Sequence, residues 1–247
     1  PYEAGGIAVT TAATRAASDE ELLSLARARR AEALAAGITH QEIKSGYGLT
    51  VESEERLCRL AGELTDDVTF LGAHLVPPEY EGRADEYVEL VCGEMLAACA
   101  AYSNWIDVFC ESGAFDVDQS RAVLEAGKAA GLGLRVHANQ LGEGPGVQLA
   151  VEMGAASADH CTHLSDKDVE ALRRIVKESP IPIIADIHFN HTLAIKAIEA
   201  GAHRIRGHPG NIRRAEEVAR GAAQATAVKV RKPVVVEPRP PPRDMHD

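Results

Sequence analysis

DVDQSRAVLEAGKAAGLGLRVHANQLGEG, residues 116–144, carries one full period of the pattern that decides the fold. Asp116 and Gln119 have capping-box spacing, so a helix opens there. Gly131 ends it, because glycine takes the left-handed backbone that closes a helix at little cost. GLRVHA follows as a short apolar strand with His137 next to its end, and a glycine-rich loop comes directly after it.

The same grammar recurs outward in both directions. Ser18 and Glu21 form a second capping box, followed by a helix whose apolar face is Leu22, Leu25, Ala26 and Ala33. Gly37 stops that helix and ITHQEIK follows as a strand. Ser165 opens a helix with Val169, Leu172 and Val176 on one face, and Asn190 caps another that runs to Gly201. Strand candidates fall near 39–44, 68–73, 105–110, 133–138, 156–160, 181–187 and 203–207. Strands alternating with helices predict a parallel sheet, either a barrel or a doubly wound fold. The barrel is favoured because Lys44, His74, Glu111, His137, His160, Asp186 and His188 all stand at strand C-termini, where barrel enzymes keep their chemistry. No GxGxxG follows the first strand, which counts against a dinucleotide fold. The segment VRKPVVVEPRPPPRDMHD offers one more short strand and a proline-rich end expected to be a disordered tail.

Composition narrows the class. At 247 residues and 45% hydrophobic, the chain suffices for one large α/β barrel domain or two small ones. No apolar run reaches the roughly 18 residues of a membrane span. A formal charge of −11 argues against a broad grip on nucleic acid. Five scattered cysteines without a CxxC pair suit reduced thiols in the cytoplasm, and no signal peptide is expected. The start at Pro1 suggests a fragment of a longer protein.

Histidines at strand ends suit a catalytic divalent metal such as zinc or iron, since the mouth of a barrel leaves a coordination position for water. Such an ion lowers the pKa of its water and polarises a carbonyl, which fits amide hydrolysis. Taken alone, His137 is better read as a strand-end histidine bonded to a neighbouring loop than as a ligand. Cys110 lies between Asp107 and Glu111, and neighbouring acids raise a thiol's pKa, so it is a poor nucleophile. His163 sits before a helix cap and is expected at the surface.

EIKSGYGL (42–49), TFLGAHLVPPEY (69–80), DVFCESGAF (107–115), RVHANQLG (135–142) and GAASADHCTHLSD (154–166) together resemble the imidazolonepropionase family, metal-dependent amidohydrolases of histidine degradation. The resemblance runs from about Tyr2 to Leu172. It implies an amidohydrolase-type barrel that opens the ring of 4-imidazolone-5-propanoate to N-formimino-L-glutamate. It also implies that Tyr47 and His74 bind substrate and that His137 is a metal ligand. Gln140 stands where many members carry a glutamate against the ring, and His160 would position or deprotonate the attacking water. Without the resemblance, Tyr47 is equally well a turn residue between glycines, and His160 equally well a structural partner of Asp159.

Two parts of that family's site are absent: the HxH pair of the first strand and the aspartate of the last. Residues 179–212, SPIPIIADIHFNHTLAIKAIEAGAHRIRGHPGNI, resemble instead hydroxymethylbutenyl diphosphate synthase, an iron–sulfur enzyme whose catalytic domain is also a barrel. No cysteine follows Cys161 to hold a cluster. The chain is thus expected to be a hybrid. Residues 1–172 form an incomplete amidohydrolase-like (β/α) barrel, 173–225 add βα units, and 226–247 hold a strand and tail. Asp186, His188 and His208 then become candidates to replace the lost ligands. Three readings stay open: an imidazolonepropionase-like hydrolase, an inactive barrel fragment or fusion keeping part of the pocket, and an isoprenoid-pathway fragment. The first implies a small-molecule substrate and a homodimer.

Overall fold

The structure, a computed structural model, describes residues 6–171, 184–187, 204–207 and 235–236. The chain divides into two compact units. One comprises Pro1–His137 and Glu152–Asp159, the other Ala138–Val151 and His160–Asp247.

The first unit opens with helices α1 (Gly6–Ala16) and α2 (Asp19–Ala35). The predicted cap of α2 is present: Ser18 Oγ accepts from the Glu21 N–H, and Glu21 Oε2 accepts from the Ser18 N–H. The apolar face expected on α2 is not sunk into a core, because no residue of this helix is buried and Leu25 is 51% exposed. Its capping and acidic first turn hold it as a helix without a covered face. Asp19 ties it to the following helix through ion pairs to Arg56 and Arg59.

The sheet and its helices then alternate: β1 (Ile43–Lys44), α3 (Val51–Gly62), β2 (Val68–Ala73), α4 (Ala84–Leu90), α5 (Leu96–Cys99), β3 (Trp105–Cys110), α6 (Val117–Ala129), β4 (Gly133–Ala138), α7 (Gly146–Met153) and β5 (Ser157–His160). A single π-helical turn, Val91–Met95, joins α4 to α5. Strand order is β1-β2-β3-β4-β5, with β1 and β3 each parallel to β2. Each strand lies beside its predecessor. That is the order of a barrel, whereas a doubly wound sheet reverses at a switch point. The protein is therefore α/β with a partial TIM-like barrel, as the residue pattern implied.

The strand at 39–44 is shorter than expected. Only Ile43 and Lys44 pair, on the outer edge of the sheet. The remaining strands of this sheet fall where the apolar runs put them. β2 is buried at every position, so both of its faces are covered. One face packs helices: Phe70, Ile106, Val108, Leu134 and Val136 are buried, and α6 lies so close to β3 that Gly127 has no room for a Cβ beside Ile106. Asp116 caps α6 through the N–H groups of Asp118 and Gln119, and Gln119 returns a bond to the Asp116 N–H.

The other face is polar. Lys44 pairs in register with Thr69, and Thr69 with Trp105, which puts all three on one side; alternation along β3 adds Asp107 and Phe109. In β4, Leu134, Val136 and Ala138 are buried, while Arg135 and His137 alternate with them toward the polar side. The deeper layer of this face is an ion network. Arg135 lies over the Trp105 ring at 4.2 Å, reaches Asp67 Oδ1 at 3.0 Å and bonds Glu42.

In the second unit Asp168, 1% exposed, gathers the loop after β4 and the start of the next helix. It accepts from Ser165 N–H (2.8 Å), Ser165 Oγ (2.7 Å) and Gln148 Nε2 (2.7 Å). Ser165 returns a bond to the Asp168 N–H, so the helix predicted to open at Ser165 does, and residues 166–171 are helical. Strands β6 (Ile184–Ile187), β7 (Arg204–Gly207) and β8 (Val235–Val236) form a second parallel sheet in that order. These are the strands expected near 181–187, near 203–207 and in VVVE. The Asn190 cap and the proline-rich end lie outside the described residues.

Candidate metal and substrate site

The polar face of the first sheet ends in a cluster of charged groups. Lys44 closes β1, and its ammonium lies 2.8 Å from Asp107 Oδ2, 3.1 Å from Asp159 Oδ2 and 2.7 Å from Glu42 Oε1. His137 Nδ1 lies 2.9 Å from the same Asp107 oxygen and 3.9 Å from Asp159 Oδ2. Asp107 is fully buried, and its second oxygen, Oδ1, receives no hydrogen bond among the described residues. A carboxylate sealed from water survives in ionised form only when cations face it.

The pKa directions follow from that packing. Burial works to raise the Asp107 carboxyl, but His137 and Lys44 outweigh it and hold its pKa at about 2. Burial likewise opposes charge on His137, and Asp107, seconded by Asp159, raises its pKa above the ordinary imidazole value. The same two aspartates keep Lys44 protonated against the cost of its burial. The cluster is thus two carboxylates shared between an ammonium and an imidazole.

Above it stands a ring cluster. His74, directly after β2, is 6.2 Å from His137 between ring centroids, and Phe109 lies 6.1 Å from each of them. Tyr47 meets His74 edge-on at 5.2 Å. His74 Nδ1 is 2.9 Å from the Gly46 carbonyl, which can only accept, so Nδ1 carries the proton and Nε2 keeps its lone pair. Burial lowers the His74 pKa, so the ring is neutral near neutral pH.

The loop that carries Tyr47 is held by one side chain. Glu54 on α3 is fully buried and accepts three N–H groups, from Gly46 (2.9 Å), Gly48 (2.7 Å) and Leu49 (2.8 Å). Gly46 has φ +100°, and a Cβ there would stand 2.9 Å from the Leu71 carbonyl oxygen, so SGYG needs glycine at that position. Glu54, six residues beyond the last glycine of the loop, escapes a reading of motifs because on α3 it looks like any acidic residue of a first turn.

The sequence-predicted residues Tyr47, His74 and His137 are therefore brought together in the first unit, with Lys44 among them. Gln140 and His160 belong to the second unit. His160 ends β5 with φ +70° and Cys161 follows at φ +48°, two consecutive left-handed residues that are not glycine. Such backbone is disfavoured for side-chain-bearing residues and concentrates at functional turns. Asp186 lies in β6, while His188 and His208 lie outside the described residues. His163 is exposed as expected, though its carbonyl accepts from Asn139 Nδ2 at 3.0 Å. Cys110 is buried, and burial, followed by Glu111 and Asp116, pushes its thiol pKa up. The expectation that it is unreactive stands, with burial as the first cause.

Asp107 and Asp159 are the site residues that sequence reasoning missed. Asp107 entered only as a neighbour of Cys110, and Asp159 only as a partner of His160. The available signal was strand parity: in WIDVFC, Asp107 alternates with Trp105 and Phe109 on one face. Asp107, His137 and Asp159 each offer a ligand atom, all within 4.8 Å of one another. One imidazole and two carboxylates form a donor set that suits zinc or iron, and the sealed Asp107 oxygen is an acceptor still to be satisfied.

The chain is 65% identical over 172 residues to the imidazolonepropionase of Salinispora arenicola (strain CNS-205), a match that covers 70% of this chain and 44% of that protein. It is 64% identical over 172 residues to the imidazolonepropionase of Mycolicibacterium smegmatis (strain ATCC 700084 / mc(2)155), covering 70% and 43%. The imidazolonepropionase of Streptomyces coelicolor (strain ATCC BAA-471 / A3(2) / M145) is 63% identical over the same length, covering 70% and 44%. The chain spans less than half the length of these relatives. Residues 148–234 match the GcpE TIM-barrel domain family, a segment that contains the 179–212 stretch. Both resemblances read from the motifs are thereby found.

Proposed function

We propose that this chain carries the substrate-side part of an imidazolonepropionase-type hydrolase acting on 4-imidazolone-5-propanoate. The observation that carries this reading is the convergence of Tyr47, His74 and His137 on one sheet end, in a stretch that matches imidazolonepropionases at 65% identity. In the reaction, water adds to the ring amide carbonyl carbon, the C–N bond breaks, and the departing nitrogen takes a proton. The product is N-formimino-L-glutamate.

Each group has a task its chemistry suits. Neutral His74, with Nε2 as acceptor, bonds the N–H edge of the ring. Tyr47 donates its phenol to the substrate carboxylate from a loop that Glu54 immobilises. For Gln140 and His160, which belong to the second unit, the resemblance implies a hydrogen bond to the ring without proton transfer and the positioning of the attacking water. His137, with Asp107 and Asp159, would hold zinc or iron, which when bound supplies a water of lowered pKa and a polarised carbonyl.

A second reading is an inactive fragment or fusion that keeps part of the pocket. Lys44 favours it, because its ammonium already neutralises the two aspartates without a metal. Purified chain reconstituted with zinc or iron and given 4-imidazolone-5-propanoate separates the two. Formiminoglutamate formation that is lost in His137→Ala is the expected result. Substrate binding by calorimetry without turnover establishes the inactive reading instead.

A further inference from the structure

Among the described residues Lys44 is a cation seated among three carboxylates of the cluster, at 2.7–3.1 Å from Glu42, Asp107 and Asp159. Glu42 is also paired with Arg135, so the share left for Lys44 is Asp107 and Asp159. These are the two carboxylates that, with His137, compose the candidate ligand set. An ammonium and a divalent ion cannot both occupy that space, since like charges within about 3–4 Å repel strongly in a buried setting.

We propose that Lys44 is a built-in competitor for the metal: its ammonium stands in the cation position of the Asp107–His137–Asp159 cluster, and a divalent ion binds there by displacing it. The side chain has the means to leave. It is 21% exposed, at the edge strand of the sheet, on a flexible four-carbon stem. Asp107 has no such freedom: it is sealed within β3, and its second oxygen, Oδ1, lacks a hydrogen bond among the described residues. Asp107 is thus the rigid part of the site, and Lys44 is the mobile cation that fills it. This inference rests on the functional reading only in placing the metal at His137, and its readout is binding, not turnover.

The test is the affinity of the full chain for Zn²⁺ and Co²⁺, measured by competition with a chromophoric chelator, for the parent and Lys44→Met. The expected result is binding about tenfold or more tighter in Lys44→Met, as a buried competing charge is removed. That gain should be abolished when Asp107→Asn is added. Equal or weaker binding in Lys44→Met overturns the proposal, as does a gain that survives Asp107→Asn. Because Lys44→Met leaves Asp107 short of a cation and endangers folding, a second measurement uses the unmodified protein. Lysine acetylation is mapped by mass spectrometry with and without Zn²⁺, taking Lys128 and Lys167 as references. Increased labelling of Lys44 in zinc supports displacement, and labelling that stays constant to saturating zinc overturns it. Ring-opening activity in a parent protein whose Lys44 does not respond would leave the hydrolase reading standing and this inference fallen.

Discussion

At the scale of single residues, a few buried acids organise the chemistry. Glu54 makes no contact with substrate in the proposed function, yet it fixes the loop that presents Tyr47 by accepting three backbone N–H groups. Carboxylate acceptors of this kind are strong because the acceptor is ionised and the donors are preset. Glu54→Gln keeps the shape but turns one acceptor oxygen into an NH₂ that faces N–H groups. It should destabilise the protein by on the order of 2–3 kcal/mol in urea unfolding and weaken substrate binding through Tyr47. A variant with the parent's unfolding midpoint would show that the loop is held by other means. Asp107 is the second such acid, and here the consequence is electrostatic: it raises the pKa of His137 and helps hold Lys44 charged.

Among the elements, close packing of helix on strand sets the sheet. A Cβ on Gly127 would stand 2.1 Å from Ile106 Cγ2, so α6 approaches β3 at a distance only glycine allows. Gly127 is not in a left-handed conformation, and its role is space alone. Gly127→Ala should cost about 1–3 kcal/mol by overpacking, even though alanine is the better helix former. Thermal melts would show the loss, and in combination with Ile106→Ala the two effects should be less than additive, because both act on one contact. Strict additivity would mean the helix shifts freely. Element positions were largely legible in the residue pattern, since apolar runs bounded by glycine and capping boxes mark strand and helix ends locally. The exceptions are instructive. β1 shrank to two residues because an edge strand pairs on one side only, and α2 carries an apolar stripe that the described residues do not bury.

For the whole molecule, the paired charges predict a stability profile with two limbs in metal-stripped protein. Asp107 has a folded pKa of about 2, below the unfolded value near 3.9. Its contribution is present above the unfolded pKa and is lost as pH falls from about 4 toward 2, on the order of 2 kcal/mol. His137 has a raised folded pKa. Its contribution is full below the unfolded value near 6.5 and is lost as pH rises through the folded one. Denaturant unfolding in chelator should therefore be hardest at about pH 5–6 and ease on both sides. In Asp107→Asn both limbs should flatten, since His137 loses the partner that raises its pKa; an unaltered profile would remove Asp107 from the centre of the cluster. No helix among the described residues is long and apolar enough to cross a membrane.

Local chemistry was enough to read the alternation of strands and helices and the caps at Ser18, Asp116 and Ser165, while the candidacy of Tyr47, His74 and His137 as site residues came with the family resemblance. Each depends on neighbours within a few positions, or on a motif that survives as a contiguous string. The pairing of Lys44 with Asp107 and Asp159 was not readable that way. It joins residues 63 and 115 positions apart, and it exists because parallel strands bring one face of each into register. Charge in isolation says nothing of its partner: Asp107 reads as one acid among 37 acidic residues until burial removes water and leaves only the side chains across the sheet to answer it.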